Sequence, residues 1–324
     1  MPIRVLITGG AGFIGHHFVN YLLNNTDWEL TLIDRLDYSG NLNRLADIGL
    51  PDRRVRVVFH DLRAEINEFL LDHIPHHNYI VHMAAATHVD RSIENPLDFV
   101  MNNVVATCNL LTYALNEGCD KFIYFSTDEV FGPAPKGVAY KEWDRYKSGN
   151  PYAATKAGAE ELAIAFENTY RLPVIVTHTM NVFGYRQNPE KFIPGTIKKV
   201  LNGEEVLIHS NKEMTEAGSR FYIHANHVAD AIYFLLQNGE VGEKYNIVGE
   251  KEVNNLDLAK QIARVVGKEL HYKMVDFHSS RPGHDLRYAL DGSYMKKLGW
   301  VPPQTFEDGI VDTVRWYLDH PQWL

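Results

Sequence analysis

The chain predicts an α/β fold: a doubly wound parallel sheet joined to a smaller mixed α/β region. Two observations carry this reading. Through the first half, apolar runs of strand length alternate with helix-length amphipathic segments. The runs are apolar on both faces, as parallel strands covered by helices on both sides must be. A total of 324 residues, 45% of them hydrophobic, can bury one large α/β unit or two domains.

Strands are predicted over residues 3–8, 30–34, 55–60, 79–82, 122–126 and 174–177. Beyond Asn181 the pattern breaks into shorter pieces with more loops, including the polar stretch 211–219. The expected division is a first domain over 1–180 and a second over 181–324. Residues 223–248, a helix near 228–236 and a strand near 245–248, return to the first domain. No internal repeat, low-complexity segment or linker interrupts this order. Residues 96–117 read as one helix, apolar around most of its circumference through Phe99, Val100, Met101, Val104, Val105, Leu110, Leu111 and Leu115. One stripe covers the sheet; the other is expected to meet a second subunit, together with the helix over 152–170. A helix buried wholly within one chain is the bland alternative.

Composition narrows the partners. A net charge of −9 without a basic cluster argues against nucleic acid, whose phosphates attract concentrated Lys and Arg. An anionic small molecule remains compatible with a few converging arginines. No apolar stretch approaches the roughly 20 residues that span a bilayer. The apolar start at residues 3–7 is too short for a secretory leader. Cys108 and Cys119 cannot form a disulfide framework and read as reduced thiols. A soluble, cytoplasmic protein is expected.

The segment Gly9-Gly10-Ala11-Gly12-Phe13-Ile14-Gly15 follows the first strand and opens a helix, the context a dinucleotide fingerprint requires. Gly9 and Gly12 allow a tight turn and close backbone approach, Gly15 lets helix and strand pack, and the helix N-terminus attracts a pyrophosphate. Phe13 and Ile14 form that first helical turn. Asp34 ends the second strand about 20 residues on, where a carboxylate accepts from the adenosine ribose hydroxyls. It would repel a 2′-phosphate, so NAD is expected over NADP. Asp61 and Leu62 after the third strand could bracket the adenine, and Ala84, Ala85 and Ala86 after the fourth let the chain pass close to the cofactor phosphates. Each alone is more often turn or packing chemistry; placement at successive strand ends of a Rossmann sheet favours the functional reading.

Tyr152 and Lys156 lie one helical turn apart, on one face. With 17 tyrosines in the chain such a pair arises by chance, and its order after a fingerprint, Asp34 and a Ser/Thr strand end gives it meaning. A free tyrosine has a pKa near ~10, and a neighbouring ammonium with a positively charged cofactor would stabilise its phenolate. Just upstream stand Thr127, Asp128 and Glu129. Two adjacent acids beside a redox centre suggest elimination, with one ionised and the other protonated by mutual repulsion and partial desolvation. Taken alone, adjacent acids are usually surface or turn residues.

These segments together resemble the nucleotide-sugar 4,6-dehydratases of the extended short-chain dehydrogenase/reductase family. The likeness rests on the glycine loop and on Asp34 with Tyr38-Ser39-Gly40-Asn41-Leu42. It extends through residues 84–93 with His88-Val89-Asp90-Arg91-Ser92, Thr127-Asp128-Glu129 and Tyr152 with Lys156. It continues to Pro189-Glu190-Lys191-Phe192-Ile193-Pro194 and Arg281-Pro282-Gly283-His284-Asp285. It implies a homodimeric, NAD-dependent enzyme that oxidises a sugar at C4, eliminates water across C5 and C6, and returns the hydride to C6. Tyr152 would be the first base, with Lys156 beside it, and Thr127 would hold the C4 hydroxyl. Glu129 would take the C5 proton, and Asp128 would protonate the departing C6 hydroxyl. His88, Ser92, Asn181, Lys191, Phe192, Arg220, Arg281 and His284 would contact the nucleotide sugar, with dTDP-glucose the implied substrate. The same reaction on UDP-glucose or UDP-N-acetylglucosamine, or a sugar-nucleotide 4-epimerisation, are the alternatives.

Two departures fall near the nucleotide pocket. Met180 stands where relatives often carry a second asparagine, and the 211–219 stretch is longer than usual. His16, His17, His76 and His77 show no metal-ligand spacing, and Ser126 lacks the strained turn of a nucleophile elbow. No metal is expected.

Overall fold

A computed structural model of the chain describes residues 2–276 and 286–324. The 281–285 motif, with Arg281 and His284, lies outside the described residues. Twelve strands are described: β1 (Arg4–Thr8), β2 (Glu29–Asp34), β3 (Val55–Phe59), β4 (Tyr79–His82), β5 (Lys121–Thr127), β6 (Val174–Thr179), β7 (Asn181–Phe183), β8 (Val206–Ser210), β9 (Ser219–His224), β10 (Lys244–Ile247), β11 (Glu252–Asn254) and β12 (Tyr272–Asp276).

Seven of them form one sheet in the order β10-β6-β5-β4-β1-β2-β3, and every pairing in it is parallel. The chain starts in the middle, winds outward through β2 and β3, then returns to lay β4 on the other side of β1. Two neighbouring strands therefore lead their following loops in opposite directions, which opens a crevice at their C-terminal ends. Alternation along β1 divides the core, since successive side chains leave opposite faces of a sheet. Val5 and Ile7 join Phe18, Leu22, Ile232 and Leu235 on one face. Leu6 joins Ile80, Leu110, Leu111, Tyr124 and Ala163 on the other.

The 13-residue Phe13–Asn25 helix and the Ala225–Asn238 helix lie side by side over the first face. Tyr21 donates to Asp230 at 2.8 Å between them. The strand that follows, β10, completes the sheet beside β6, so residues distant in sequence close its edge.

The segment expected as one uniform helix over 96–117 departs from that expectation. It begins as α-helix at Pro96–Phe99, loosens into a π-helical turn at Val100–Val105, and resumes at Ala106–Glu117. The wider turn is fixed by polar contacts that apolar periodicity could not announce. Asn103 is buried; its side-chain oxygen accepts from the Ala86 amide at 2.8 Å, and its nitrogen donates to the Ala86 carbonyl at 3.0 Å and to Thr155 at 2.9 Å. The loop after β4 is thereby tied to the helix carrying Tyr152. On the outer side of the segment Leu97 is 72% exposed, and Val100 and Met101 are also open.

The remaining strands form a three-stranded sheet, β11-β9-β7, and a parallel pair, β12-β8. The helices Phe192–Asn202, Asn255–Val266 and Phe306–Asp319 pack with them around Phe183, Ile197, Leu258, Ile262, Ile310 and Tyr317. The 211–219 stretch closes on itself, with the Asn211 side chain accepting from the amides of Thr215 and Glu216. Asp47, at the end of the Leu42–Ala46 helix, accepts from Arg186 at 3.1 Å and from the Trp323 indole at 3.0 Å.

Candidate active site

One cavity runs across the C-terminal ends of β1, β2, β4, β5 and β6. At one end lies the glycine loop. Gly9 sits at φ +72°, and a Cβ there would come within 2.9 Å of the Ala84 amide nitrogen, so both angle and clearance demand glycine. A Cβ on Gly15 would lie 2.1 Å from the Gly9 carbonyl oxygen. Gly12, at φ −72°, needs no special backbone angle, but a Cβ there would lie 2.9 Å from the Gly9 carbonyl oxygen, so glycine is needed for the close approach within the turn. Gly12 begins the Phe13–Asn25 helix without a side-chain cap or an acid in the first turn, leaving a bare positive helix end.

Asp34 closes this end. Its two oxygens accept from the amides of Ala11 at 3.0 Å and Leu36 at 2.8 Å, fixing the carboxylate and leaving further lone pairs for a ligand. Burial raises its pKa, partly offset by those amides. Arg35 is paired to Asp37 at 2.6 Å and faces Asp61 at 3.5 Å, while Arg63 pairs with Asp61 at 2.6 Å. The rim where a 2′-phosphate would sit thus presents arginines already answered by carboxylates. Leu62, Ala84, Ala85 and Ala86 complete the wall, and Ala84 donates its amide to Thr8 at 3.1 Å. A glycine cradle that no side chain could share, an uncapped helix end and a fixed ribose-level carboxylate fit an NAD molecule.

At the other end stand Thr127, Asp128, Glu129, Tyr152 and Lys156. β5 ends at Thr127, and a 3-10 turn over Asp128–Phe131 turns the two acids inward. The facing helix, Pro151–Tyr170, is started by Asn150, whose side-chain oxygen caps the Ala153 amide at 2.8 Å. The Asn150 nitrogen donates to Glu129 at 3.0 Å, so the cap also fixes an acid.

Asp128 is buried, with one oxygen accepting from Thr127 at 3.1 Å and the other, Oδ2, without a hydrogen-bond partner among the described residues. Burial, with Glu129 adding to it, pushes its pKa up to about 7. Lys156 donates to the Phe125 carbonyl at 2.7 Å and lies 4.4 Å from the centre of the Tyr124 ring. Burial lowers its pKa to about 7. Tyr152 is not activated by the chain alone. Burial and then the Glu129 charge raise its pKa, and the force opposing them is a hydrogen bond with Thr127. The lysine is engaged with the strand carbonyl and the acids act on the phenol, so the chain by itself does not make Tyr152 acidic.

All the residues expected to hold the cofactor line the cavity: Gly9, Gly12, Phe13, Ile14, Gly15, Asp34, Asp61, Leu62, Ala84, Ala85, Ala86, Tyr152 and Lys156. Asn181, Lys191 and Phe192 line its far wall, where the Phe192–Asn202 helix begins at Lys191 without a side-chain cap. Three expected contacts are not on the wall. Ser92 is wholly buried, donating to the Val89 carbonyl at 2.6 Å and accepting from the Tyr152 amide at 3.1 Å, so it props the helix from behind. His88 lies 4.0 Å from Glu190, which is itself on the wall. Arg220 donates to the carbonyls of Ser219 and Leu286 at 2.7 and 2.6 Å and stacks over Tyr288.

Several wall residues escaped sequence reasoning, among them Arg44, Thr179, Gln187 and Tyr222. Tyr38 and Glu190 sat inside recognised motifs without an assigned part. Here Arg91 stacks 3.8 Å from the Tyr38 ring centre and approaches Glu190 at 3.7 Å, linking the two sides of the cavity. Arg44 is buried, and its guanidinium donates to the carbonyls of Ala11, Ser39 and Arg186 at 3.2, 2.6 and 3.0 Å. Its burial depends on loops that meet only in the folded chain.

A dinucleotide cradle and an acid-flanked Tyr–Lys pair sharing one cavity define a cofactor-dependent enzyme with room for a second ligand. Residues 5–248 match the model of the NAD dependent epimerase/dehydratase family. The dTDP-glucose 4,6-dehydratase of Escherichia coli is 38% identical, over 99% of this chain and 95% of that one. DesIV, the dTDP-glucose 4,6-dehydratase of Streptomyces venezuelae solved with NAD bound, superposes with a TM-score of 0.91 at 36% identity, covering 99% of this chain and 98% of that one. The UDP-glucose 4-epimerase of Thermus thermophilus, solved with NAD, gives 0.88 at 27% identity over 98% and 99% of the two chains. The chain belongs to the NAD dependent epimerase/dehydratase family.

Proposed function

We propose that the protein is a hydro-lyase that uses NAD to convert dTDP-glucose into dTDP-4-keto-6-deoxyglucose. One observation carries the reading: two adjacent acids line the cavity beside Tyr152 in unlike settings, Asp128 buried with an oxygen unpartnered among the described residues and a pKa near 7, Glu129 tethered by Asn150. Elimination needs such a division between acid and base.

When bound, the oxidised nicotinamide supplies reversible two-electron oxidation at the sugar and a positive charge that favours the Tyr152 phenolate. Tyr152 accepts the C4 hydroxyl proton, and Thr127 holds that oxygen. The resulting ketone acidifies the C5 hydrogen, which Glu129 removes. Asp128 gives its proton to the C6 hydroxyl, which leaves as water. The two electrons taken at C4 end at C6 and C5 takes a proton back, so the change is the loss of water with no net oxidation.

Lys191 and the adjacent helix end, with Asn181 and Phe192, are proposed to receive the sugar diphosphate. Arg220, His88, Arg281 and His284 are retained as proposed nucleotide contacts, Arg220 being near enough for its charge to act on Asp128, and Ser92 as a prop for Tyr152. Residues 1–180 with 223–248 would hold the cofactor and the rest the nucleotide sugar. No helix among the described residues is long and apolar enough to cross a membrane. The proposed state is a cytoplasmic homodimer formed through residues 96–117 and 152–170.

The 4-epimerase neighbour favours a second reading, since epimerisation needs Tyr152 and Lys156 but not the acids. Turnover in deuterium oxide separates the two. Dehydration places solvent deuterium at C5 of a 4-keto-6-deoxy product; an unlabelled C5 would overturn elimination. A panel of dTDP-glucose, UDP-glucose, UDP-N-acetylglucosamine and GDP-mannose tests the base, and turnover of uridine substrates alone would move the assignment to them.

A further inference from the structure

The helix that carries Tyr152 and Lys156 presents a third ionisable group on the same stripe one turn further, Glu160, and the proposed reaction makes no use of it. It is wholly buried. Each of the three turns grips the end of β5. Tyr152 is hydrogen-bonded to Thr127, Lys156 donates to the Phe125 carbonyl at 2.7 Å, and Ser126 donates to Glu160 at 2.8 Å.

Around Glu160 the elements behind the site converge. His178 of β6 meets both its oxygens at 3.1 Å, Lys244 of β10 lies at 3.0 Å, and Tyr146 donates to it. Lys244 also donates to the Tyr146 hydroxyl at 2.6 Å, and the other His178 nitrogen faces Asn246 at 3.1 Å. Glu142 acts on His178 and Glu161 on Tyr146 from farther away. Burial alone would raise Glu160, but His178, Lys244 and Tyr146 bring it down to about 2, so it is anionic at neutral pH.

Lys156 is surrounded by groups of little charge. Tyr124 lies under it from β5, and His82 of β4 is held neutral by burial, with a pKa near 3. Tyr152 is protonated in the chain alone, and Asp128 and Glu129 act on Tyr152. Among the described residues, Glu160 is the charge that supports the ammonium against desolvation.

We propose that Glu160 is a positioning residue of the active site. Through Ser126 it locks the end of β5 in register with the Tyr152 helix, and through its charge it keeps Lys156 in the ammonium form. The inference builds on the reading of Tyr152 and Lys156 as the redox end of the cavity.

The test uses the full-length protein with NAD and the variants Glu160→Gln, Glu160→Asp and Ser126→Ala. Two readouts are followed: kcat/KM against pH, and the titration midpoint of Lys156 by NMR of 15N-lysine-labelled protein, assigned with Lys156→Arg. Glu160→Gln should move both the alkaline limb and the Lys156 midpoint to lower pH by about one unit, the scale on which a single charge acts at close range. Glu160→Asp should restore the midpoint. Ser126→Ala should lower kcat with the midpoint unmoved. A folded Glu160→Gln protein whose Lys156 midpoint equals that of wild type overturns the proposal. Should that variant fail to fold, the double variant Glu160→Gln, Lys244→Met, which removes both members of the buried ion pair, decides: its midpoint should fall below that of Lys244→Met alone, and equal midpoints overturn the proposal. Absence of C5 labelling in wild type would instead sink the dehydratase reading, while the NMR titration still judges Glu160.

Discussion

Asp128 sets stability against reactivity at a single side chain. Its carboxyl is buried, carries an oxygen without a partner among the described residues, and holds its proton to about pH 7. Because the folded state binds that proton more tightly than the unfolded chain, stability from this group is full below the ordinary carboxylate range. It is lost as pH rises through about 7. Asp128→Asn cannot ionise and escapes that loss. The variant should show a raised melting temperature above pH ~8, by a few kcal/mol equivalent, and no gain at pH ~4. The same change should cut kcat by roughly 10²–10⁴-fold, the usual worth of a general acid. Calorimetry at the two pH values and steady-state kinetics check both halves. Gly9, Gly15 and Asp34 were legible in the sequence because their demands are local: a backbone angle, a missing Cβ, a strand end. Ser92 was not, because what separates a ligand contact from a prop is which neighbour consumes the hydroxyl. Nor was the high pKa of Tyr152, since the lysine one turn away turns to a carbonyl on another strand.

At the level of elements, the register between β5 and the Pro151–Tyr170 helix brings the chemistry together, and the π-helical turn supports the cofactor wall beside it. Asn103 uses its amide to satisfy both the N–H and the C=O of Ala86. Asn103→Ala would leave two buried backbone groups unpaired, a loss of about 1–3 kcal/mol per group. The variant should bind NAD roughly tenfold or more weakly in a fluorescence titration, with tyrosine and acid chemistry intact at saturating cofactor. Wild-type affinity would show that the tie is dispensable. Strands and helices of the sheet were legible because burial on both faces writes itself as unbroken apolar runs. The π turn was hidden, because an added residue shifts apolar stripes only slightly and its cause is a polar contact with a loop 17 residues away.

For the molecule as a whole, the exposed Leu97, Val100 and Met101 beside the Tyr152 helix are the surface proposed for self-association. The double variant Leu97→Glu, Met101→Glu should run as a monomer by light scattering on a sizing column. A wild-type protein that is itself monomeric would remove the proposal. The order of strands beyond β6 was partly legible, since a helix and strand near 225–248 looked out of place in a smaller region. Their pairing with β6 was not, because nothing along the chain says which edge a late strand completes.

That late strand has a practical reach. β10 pairs with β6 from Val176 to Thr179, and the helix before it covers the face beneath the glycine loop. A gene fragment cut near codon 180 would therefore encode a raw sheet margin and a bald apolar slab, both invitations to clump. Anyone wanting a cofactor-binding module from this chain must splice two stretches of coding sequence, because the sheet is stitched shut from downstream.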